Sequence, residues 1–151
     1  VVNVDRGGKI TYHGLGQVVI YCLIDLNRRR LKVRELVDII EGSIIELLAQ
    51  HRVYASTQKN APGVYIDEKK VSSVGLRLKK NCCYHGLSLN VDMDLEPFAR
   101  INPCGHIGLR MVQLSEFDPS VGIERVSGIM VNEIQKVFGY SDIVMEYAET
   151  V

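Results

Sequence analysis

The strongest periodicity in the chain runs from Val33 to His51. Leu36, Ile40, Ile44, Leu47 and Leu48 recur at three- and four-residue spacing, with Val37 beside them, and Arg34, Glu35, Asp38, Glu41 and Glu46 fill the remaining positions. That pattern predicts an amphipathic helix with one apolar stripe. It reads as scaffold, with no chemistry assigned to it. A second such helix is predicted over Ile123 to Phe138, where Val126, Ile129, Met130, Ile134, Val137 and Phe138 share a side and Gly139 supplies a C-terminal stop.

The strand signals are of two kinds. Gln17 to Leu26 contains an unbroken apolar, β-branched run, which predicts a strand buried on both faces. Gly63 to Ile66 and Lys70 to Leu78 read as a hairpin around Asp67-Glu68-Lys69, and Lys79-Lys80-Asn81 turns the chain into a third strand over Cys82 to Val91. Short strands are also expected at Val1 to Asp5, Arg52 to Ser56 and Ile143 to Met145, and a helical turn at Leu95 to Phe98. Gly75 and Gly86 fall inside strands, which marks a bulge or a close backbone approach. Neighbouring strands with glycines leave a flat groove suited to an extended apolar ligand. The fold class expected is α/β (α+β): a mixed, largely antiparallel sheet with two main helices on one side.

Composition narrows the function classes. The chain has 151 residues, 46% hydrophobic and 24% charged, which fits a single domain over residues 1–151 with one core. Lys and Arg number 18, as do Asp and Glu, so no global field draws the chain to nucleic acid or to an anionic membrane. No apolar run is long enough to span a bilayer. The triplet Arg28-Arg29-Arg30 reads as a solvated turn, with docking of an acidic protein partner as the sharper alternative. The chain begins with Val1, and its first residues look like the inside of a domain, so an N-terminal segment is expected to be missing. Cys22, Cys82, Cys83 and Cys104 form no disulfide framework and no C-x-x-C pair; His13, His51, His85 and His106 are scattered. No metal site is expected, and free thiols in a reducing compartment are.

Three stretches carry candidate chemistry. In Ile101-Asn102-Pro103-Cys104-Gly105-His106, proline stiffens the backbone before a thiol and glycine lets it turn after, which presents the sulfur from a loop. From Arg6 to Gln17 four glycines surround the β-prone triplet Ile10-Thr11-Tyr12, with Arg6 and His13 able to supply charge or hydrogen bonds. The stretch is neither a P-loop nor a dinucleotide fingerprint. Lys70 starts a strand beside a turn, where a lysine is ordinarily solvated; facing a pocket, its ammonium would raise the thiolate fraction of a nearby thiol.

Taken in order, Arg6-Gly7-Gly8-Lys9-Ile10-Thr11-Tyr12-His13-Gly14, Ala61-Pro62-Gly63-Val64-Tyr65, Lys69 to Arg77, His85-Gly86-Leu87-Ser88-Leu89-Asn90-Val91 and Ile101-Asn102-Pro103-Cys104-Gly105 resemble the lipoyl(octanoyl) transferase family over nearly the whole chain. The resemblance implies a fold similar to the catalytic domains of biotin and lipoate protein ligases. It implies transfer of an octanoyl group from octanoyl-acyl carrier protein to a lysine on lipoyl domains, those of 2-oxoacid dehydrogenases and the glycine cleavage H protein. It places the nucleophile at Cys104 and its paired lysine at Lys70. It places acyl binding at Arg6, Gly7, Gly8, Lys9, Ile10, Thr11, Tyr12 and His13, at Ser73, Val74 and Gly75, and at Gly86, Leu87 and Ser88. No cofactor is implied, and a cytoplasmic location is expected.

The residue chemistry is consistent with that reaction. Exchange of one thioester for another is nearly thermoneutral, and amide formation from a thioester is downhill without ATP. Backbone N–H groups near Cys104 and over Ser73 to Gly75 are candidates for an oxyanion hole. Leu15 stands where the family usually has proline, and the family's residues before the Arg-Gly-Gly segment are expected to be missing. The competing readings are an ATP-dependent lipoate-protein ligase, which has no use for the Cys104 thiol, and an inactive carrier-binding relic.

Overall fold

A computed structural model describes all residues except Val1, Asn3, Arg6, His106, Ile107, Met145 and 147–151, and gives Cys104 by its backbone alone. Among the described residues the sheet has six strands: β1 (Gln17–Tyr21), β2 (Ile24–Asp25), β3 (Ser56–Thr57), β4 (Gly63–Ile66), β5 (Lys69–Lys79) and β6 (Cys82–Asn90). Their order is β1-β6-β5-β4-β3, with β2 also on β6, and every pairing is antiparallel. One parallel bridge, Lys70 to Met111, is added at the start of β5. The helices are α1 (Leu26–Arg29), α2 (Val33–Gln50), α3 (Glu96–Ala99) and α4 (Ile123–Phe138).

The two long helices follow their periodicity. Leu36, Ile40, Ile44, Leu47 and Leu48 of α2 are all fully buried, each worth about 1.5–3 kcal/mol relative to exposure. The helix α4 packs against α2 and ends at Gly139, whose φ of 63° is the left-handed C-terminal conformation that favours glycine. Both hairpin turns carry positive φ at their central residues, Asp67 and Glu68, then Lys80 and Asn81. That geometry matches the twist of the flanking strands.

Several expectations need correction. The Gln17 to Leu26 run is not one strand buried on both faces. It breaks after Tyr21, resumes as β2 and becomes helix at Leu26; Val18 joins the core while Val19 and Tyr21 on the opposite face are exposed. Val2, Val4 and Asp5 form no strand, and neither do Arg52 to Ala55 or Ile143 and Val144. The remaining residues of the expected end strands, Val1, Asn3 and Met145, lie outside the described residues. The arginine triplet is not a solvated turn throughout. Arg28 and Arg30 are exposed, but Arg29 donates from Nη1 to the Phe138 carbonyl at 3.0 Å and lays its guanidinium 4.2 Å from the Tyr140 ring centroid. It ties α1 to the end of α4.

That tie has a measurable cost. Arg29→Met is expected to lose about 1–2 kcal/mol, from a hydrogen bond given by a charged group plus a cation–π contact. Arg28→Met should stay within about 0.5 kcal/mol of the parent. Urea unfolding of the two variants measures both; equal midpoints would mean that Arg29 holds nothing.

Candidate functional site

The face of the sheet away from α2 and α4 carries a groove of about 420 Å³. Its floor comes from neighbouring strands. Val19, Ile20 and Tyr21 of β1, His85 to Ser88 of β6 and Ser73 to Gly75 of β5 line it, and Gly75 pairs directly with Gly86. A Cβ at Gly86 would run into the Ile20 carbonyl, so β6 approaches β1 there as only glycine allows. The expected close approach is therefore present at Gly86, and the register irregularity lies elsewhere, between β4 and β5.

The N-terminal segment forms the wall. Asp5 accepts from the Tyr84 hydroxyl at 2.6 Å and pairs with His85 Nε2 at 3.0 Å. The His85 and Tyr84 hydrogen bonds hold its carboxyl down to about 2. Gly7 N–H donates to the Leu76 carbonyl at 3.0 Å. His13 Nδ1 lies 2.7 Å from Gln17 Oε1, and the Gln17 amide donates to Asn90 Oδ1 at 2.8 Å. Tyr12 packs edge-on against Phe98. These fastenings bring Val2, Val4, Gly7, Gly8, Thr11, Tyr12 and His13 to the groove.

Lys70 is 1% exposed, not solvated as its strand-start position first suggests. Its Nζ donates to the Pro62 carbonyl at 2.9 Å and sits 5.3 Å from the Tyr65 ring centroid. A bulge prepares the position: Tyr65 faces Lys70 and Val64 faces Ser72, which leaves Val71 as the extra residue on β5. The backbone of Lys70 is bonded on both sides to the chain that follows the Cys104 turn. Its N–H donates to the Arg110 carbonyl at 2.9 Å and its carbonyl accepts from Val112 at 3.0 Å.

Pro103 to Gly105 form a single 3-10 turn, closed by the Gly105 N–H donating to the Asn102 carbonyl at 2.9 Å. Cys104 is its central residue. A Cβ at Gly105 would strike the Lys9 side chain, so Lys9 rests against this turn. From Gly105 the chain spans at most about 18 Å before Arg110 docks on Lys70. Two other cysteines, Cys22 and Cys83, are buried and disfavoured as thiolates. Burial pushes the Cys22 thiol up to about 11, with the Cys83 thiol nearby adding to it, and burial raises Cys83 as well.

Most residues singled out in the sequence thus converge: Gly7, Gly8, Thr11, Tyr12, His13, Ser73, Val74, Gly75, Gly86, Leu87 and Ser88 line one groove. Lys9 lies at the Cys104 turn instead, Ile10 is exposed away from the lining, and Arg6 lies outside the described residues. Sequence reasoning missed the β1 side, Val19 to Tyr21, though its alternation with buried Val18 was the available signal. It also missed Glu41. This residue of α2 is 3% exposed and accepts the Gly63 N–H at 2.7 Å. Burial raises its carboxyl above the usual range, opposed by the Gly63 hydrogen bond. Among the described residues no group of His, Cys, Asp and Glu is placed to hold a metal ion, and no helix is long and apolar enough to cross a membrane.

Residues 1–135 match the family model described as lipoyl protein ligase A/B catalytic domain. Curated relatives named octanoyltransferase include one from Pectobacterium atrosepticum, 50% identical over 93% of this chain and 62% of its own length. Another, from Dechloromonas aromatica, is 57% identical over 78% of this chain and 58% of its own. The chain therefore spans about three fifths of the length of such relatives. Among solved structures, a lipoate-protein ligase A bound with ATP superposes with a TM-score of 0.70 at 15% identity, covering 93% of this chain and 61% of that one. Apo biotin protein ligase from Aquifex aeolicus gives 0.64 at 22% identity, covering 82% and 53%. At such identities these structures establish the fold.

Gly63 is a sensitive backbone position beside Lys70. Its φ is +134°, and a Cβ would lie 2.6 Å from Lys70 Cε and 3.1 Å from Nζ. Gly63→Ala is expected to cost at least about 1–3 kcal/mol in urea unfolding. An unchanged midpoint would show that the strand and Lys70 relax around the methyl group.

Proposed function

The chain belongs to the lipoyl protein ligase A/B catalytic domain family, and from that membership and its groove we propose that it is an octanoyltransferase acting through a thioester on Cys104. The observation that carries the reading is the groove itself. It falls within the roughly 300–1,000 Å³ range of small-ligand clefts, its floor is kept low by the Gly75–Gly86 pair, and Arg110 to Val112, a few residues after the Cys104 turn, bond the backbone of buried Lys70. Names of the curated relatives support the acyl group, and the Cys104 thiol favours this reading over an ATP-dependent ligase.

On this proposal the Cys104 thiolate, paired with the Lys70 ammonium, attacks the carbonyl carbon of octanoyl-acyl carrier protein. The new carbon–sulfur bond forms as the carrier's breaks, and the carrier thiolate leaves with a proton from Lys70. The octanoyl chain lies in the groove. A lysine amine of a lipoyl domain then attacks the thioester; neutral Lys70 takes the proton that the nitrogen loses, the amide forms, and Cys104 departs as the thiolate. Backbone N–H groups beside Cys104 and over Ser73 to Gly75 are the proposed donors to the transient oxyanion.

The donor docks at the end of the sheet near α1. Leu26 N–H donates to the Asn81 carbonyl at 2.9 Å, which sets α1 against the β5–β6 turn and gathers exposed Arg28, Arg30, Arg77, Lys79 and Lys80. In a chain of balanced charge this is a local concentration of positive charge. It complements an acidic carrier protein at the end of the strands that form the groove floor.

Incubation with octanoyl carrier protein should add one octanoyl mass to the protein, removed by hydroxylamine and absent in Cys104→Ser. Intact-mass spectrometry reads this. An unmodified protein that consumes ATP would point to the ligase, and no reaction to a carrier-binding relic. Lys79→Glu with Lys80→Glu should raise KM for the carrier several-fold at low salt, with the difference shrinking as salt screens it. Steady-state kinetics at two ionic strengths tests that; an equal KM in both proteins would remove the patch from docking.

A further inference from the structure

We propose that Glu41 of α2 is a positioning residue for Lys70, acting through the single peptide group between Pro62 and Gly63. The inference rests on the reading of Lys70 as part of the transfer site. Glu41 Oε1 accepts the Gly63 N–H at 2.7 Å, and the Pro62 carbonyl accepts from Lys70 Nζ at 2.9 Å. These are the two polar ends of one amide. The bond is trans, so its N–H and C=O point in opposite directions from one plane. Glu41 therefore grips one edge of the plane and Lys70 hangs from the other.

The arrangement has little slack. Glu41 is 3% exposed and Lys70 1% exposed, so neither can exchange its partner for water cheaply. An acceptor on the N–H also strengthens the carbonyl as an acceptor, because linked hydrogen bonds polarise one another. Rotation of the peptide would break both bonds at once and remove the Pro62 carbonyl from the Lys70 ammonium. Gly63 serves the same geometry, since its missing Cβ is the space that Lys70 Cε occupies.

A purely structural role fits Glu41 poorly. Its neighbours along the inner face of α2 are Leu36, Ile40, Ile44, Leu47 and Leu48, and an apolar side chain there would carry no charge out of water. Burial does raise the Glu41 carboxyl, against the Gly63 hydrogen bond and the attraction of Arg34 on its own helix and Lys70 from the sheet; Asp38 adds to the rise. The carboxyl group is thus buried at a cost, and it accepts its hydrogen bond from the peptide whose carbonyl meets Lys70.

The test uses the full chain with Glu41→Leu, Glu41→Gln, Lys70→Met and the Leu/Met double variant. Glu41→Leu should lower kcat about 10- to 100-fold, the scale on which small misplacements act, with KM for the carrier within about twofold. Glu41→Gln keeps the acceptor oxygen and should restore most of the loss. In the Lys70→Met background, Glu41→Leu should add nothing, because both act through one group. Losses that multiply, an unaffected kcat, or a Gln variant as poor as Leu would each overturn the proposal. Amine-directed labelling of Lys70, followed by mass spectrometry without substrates, supplies a readout independent of catalysis. It should quicken about tenfold in Glu41→Leu, as expected for an ammonium freed from a buried hydrogen bond, and stay near the parent rate in Glu41→Gln. Should the Leu variant not fold, a tenfold rise in the isosteric Gln variant overturns the proposal and a parental rate supports it. Labelling that responds in a protein that never forms an octanoyl thioester would remove the transferase reading and keep the link between Glu41 and Lys70.

Discussion

A buried ammonium must find inside the protein the hydrogen bonds that water would have given it. For Lys70 that requirement organises the surroundings. The Pro62 carbonyl has to face inward, Tyr65 has to lay its ring nearby, and β5 has to bulge at Val71 so that Lys70 and Val71 are buried in succession. The motif Ala61-Pro62-Gly63-Val64-Tyr65 is the sequence of that enclosure. Even its tyrosine is fixed locally, by a hydroxyl donating to the Ala61 carbonyl at 3.0 Å. The same lysine anchors the Arg110 to Val112 segment through its backbone, so the residue that needs solvating also ties down the chain beyond the Cys104 turn.

The groove depends on a different economy. Its floor is sheet, kept open by the absence of side chains at Gly75 and Gly86, and its wall is a segment whose described residues form no strand. That wall is held at separate points, Asp5 on β6, Gly7 on β5 and His13 on Gln17. The last point continues inward, since Gln17 bonds Asn90, which donates to the Val112 carbonyl at 3.0 Å. A buried polar chain therefore runs from the groove wall to the ladder beside Lys70, fully partnered along its length.

What was legible in the sequence follows from where the signals are strong. The limits of β4 and of α4 are marked by local chemistry, a turn after Ile66 and a left-handed glycine after Phe138, and both elements stand where the pattern places them. The groove glycines were legible because glycine inside a strand has few other uses. Position alone hid the rest. Glu41 sits among charged residues in a helix pattern and reads as one more solvated carboxylate; only the fold shows it buried against the Gly63 N–H. Arg29 is one of three consecutive arginines and is singled out by a contact with Phe138, 109 positions away. Hydrophobicity alone suggested strands near both ends of the chain, but the described residues there have no partner strand to pair with.

The laced construction of the groove wall separates two properties that most clefts combine. Sheet hydrogen bonding and the helix-packed core lie on one side of the floor, while the width and depth of the cleft are set by a few side chains on a segment pinned at points. Replacing Val2, Val4 or Thr11 alters the shape of the cleft without touching a ladder bond or a core residue. The dimensions of the cleft can therefore drift among descendants of this fold while folding itself stays untouched.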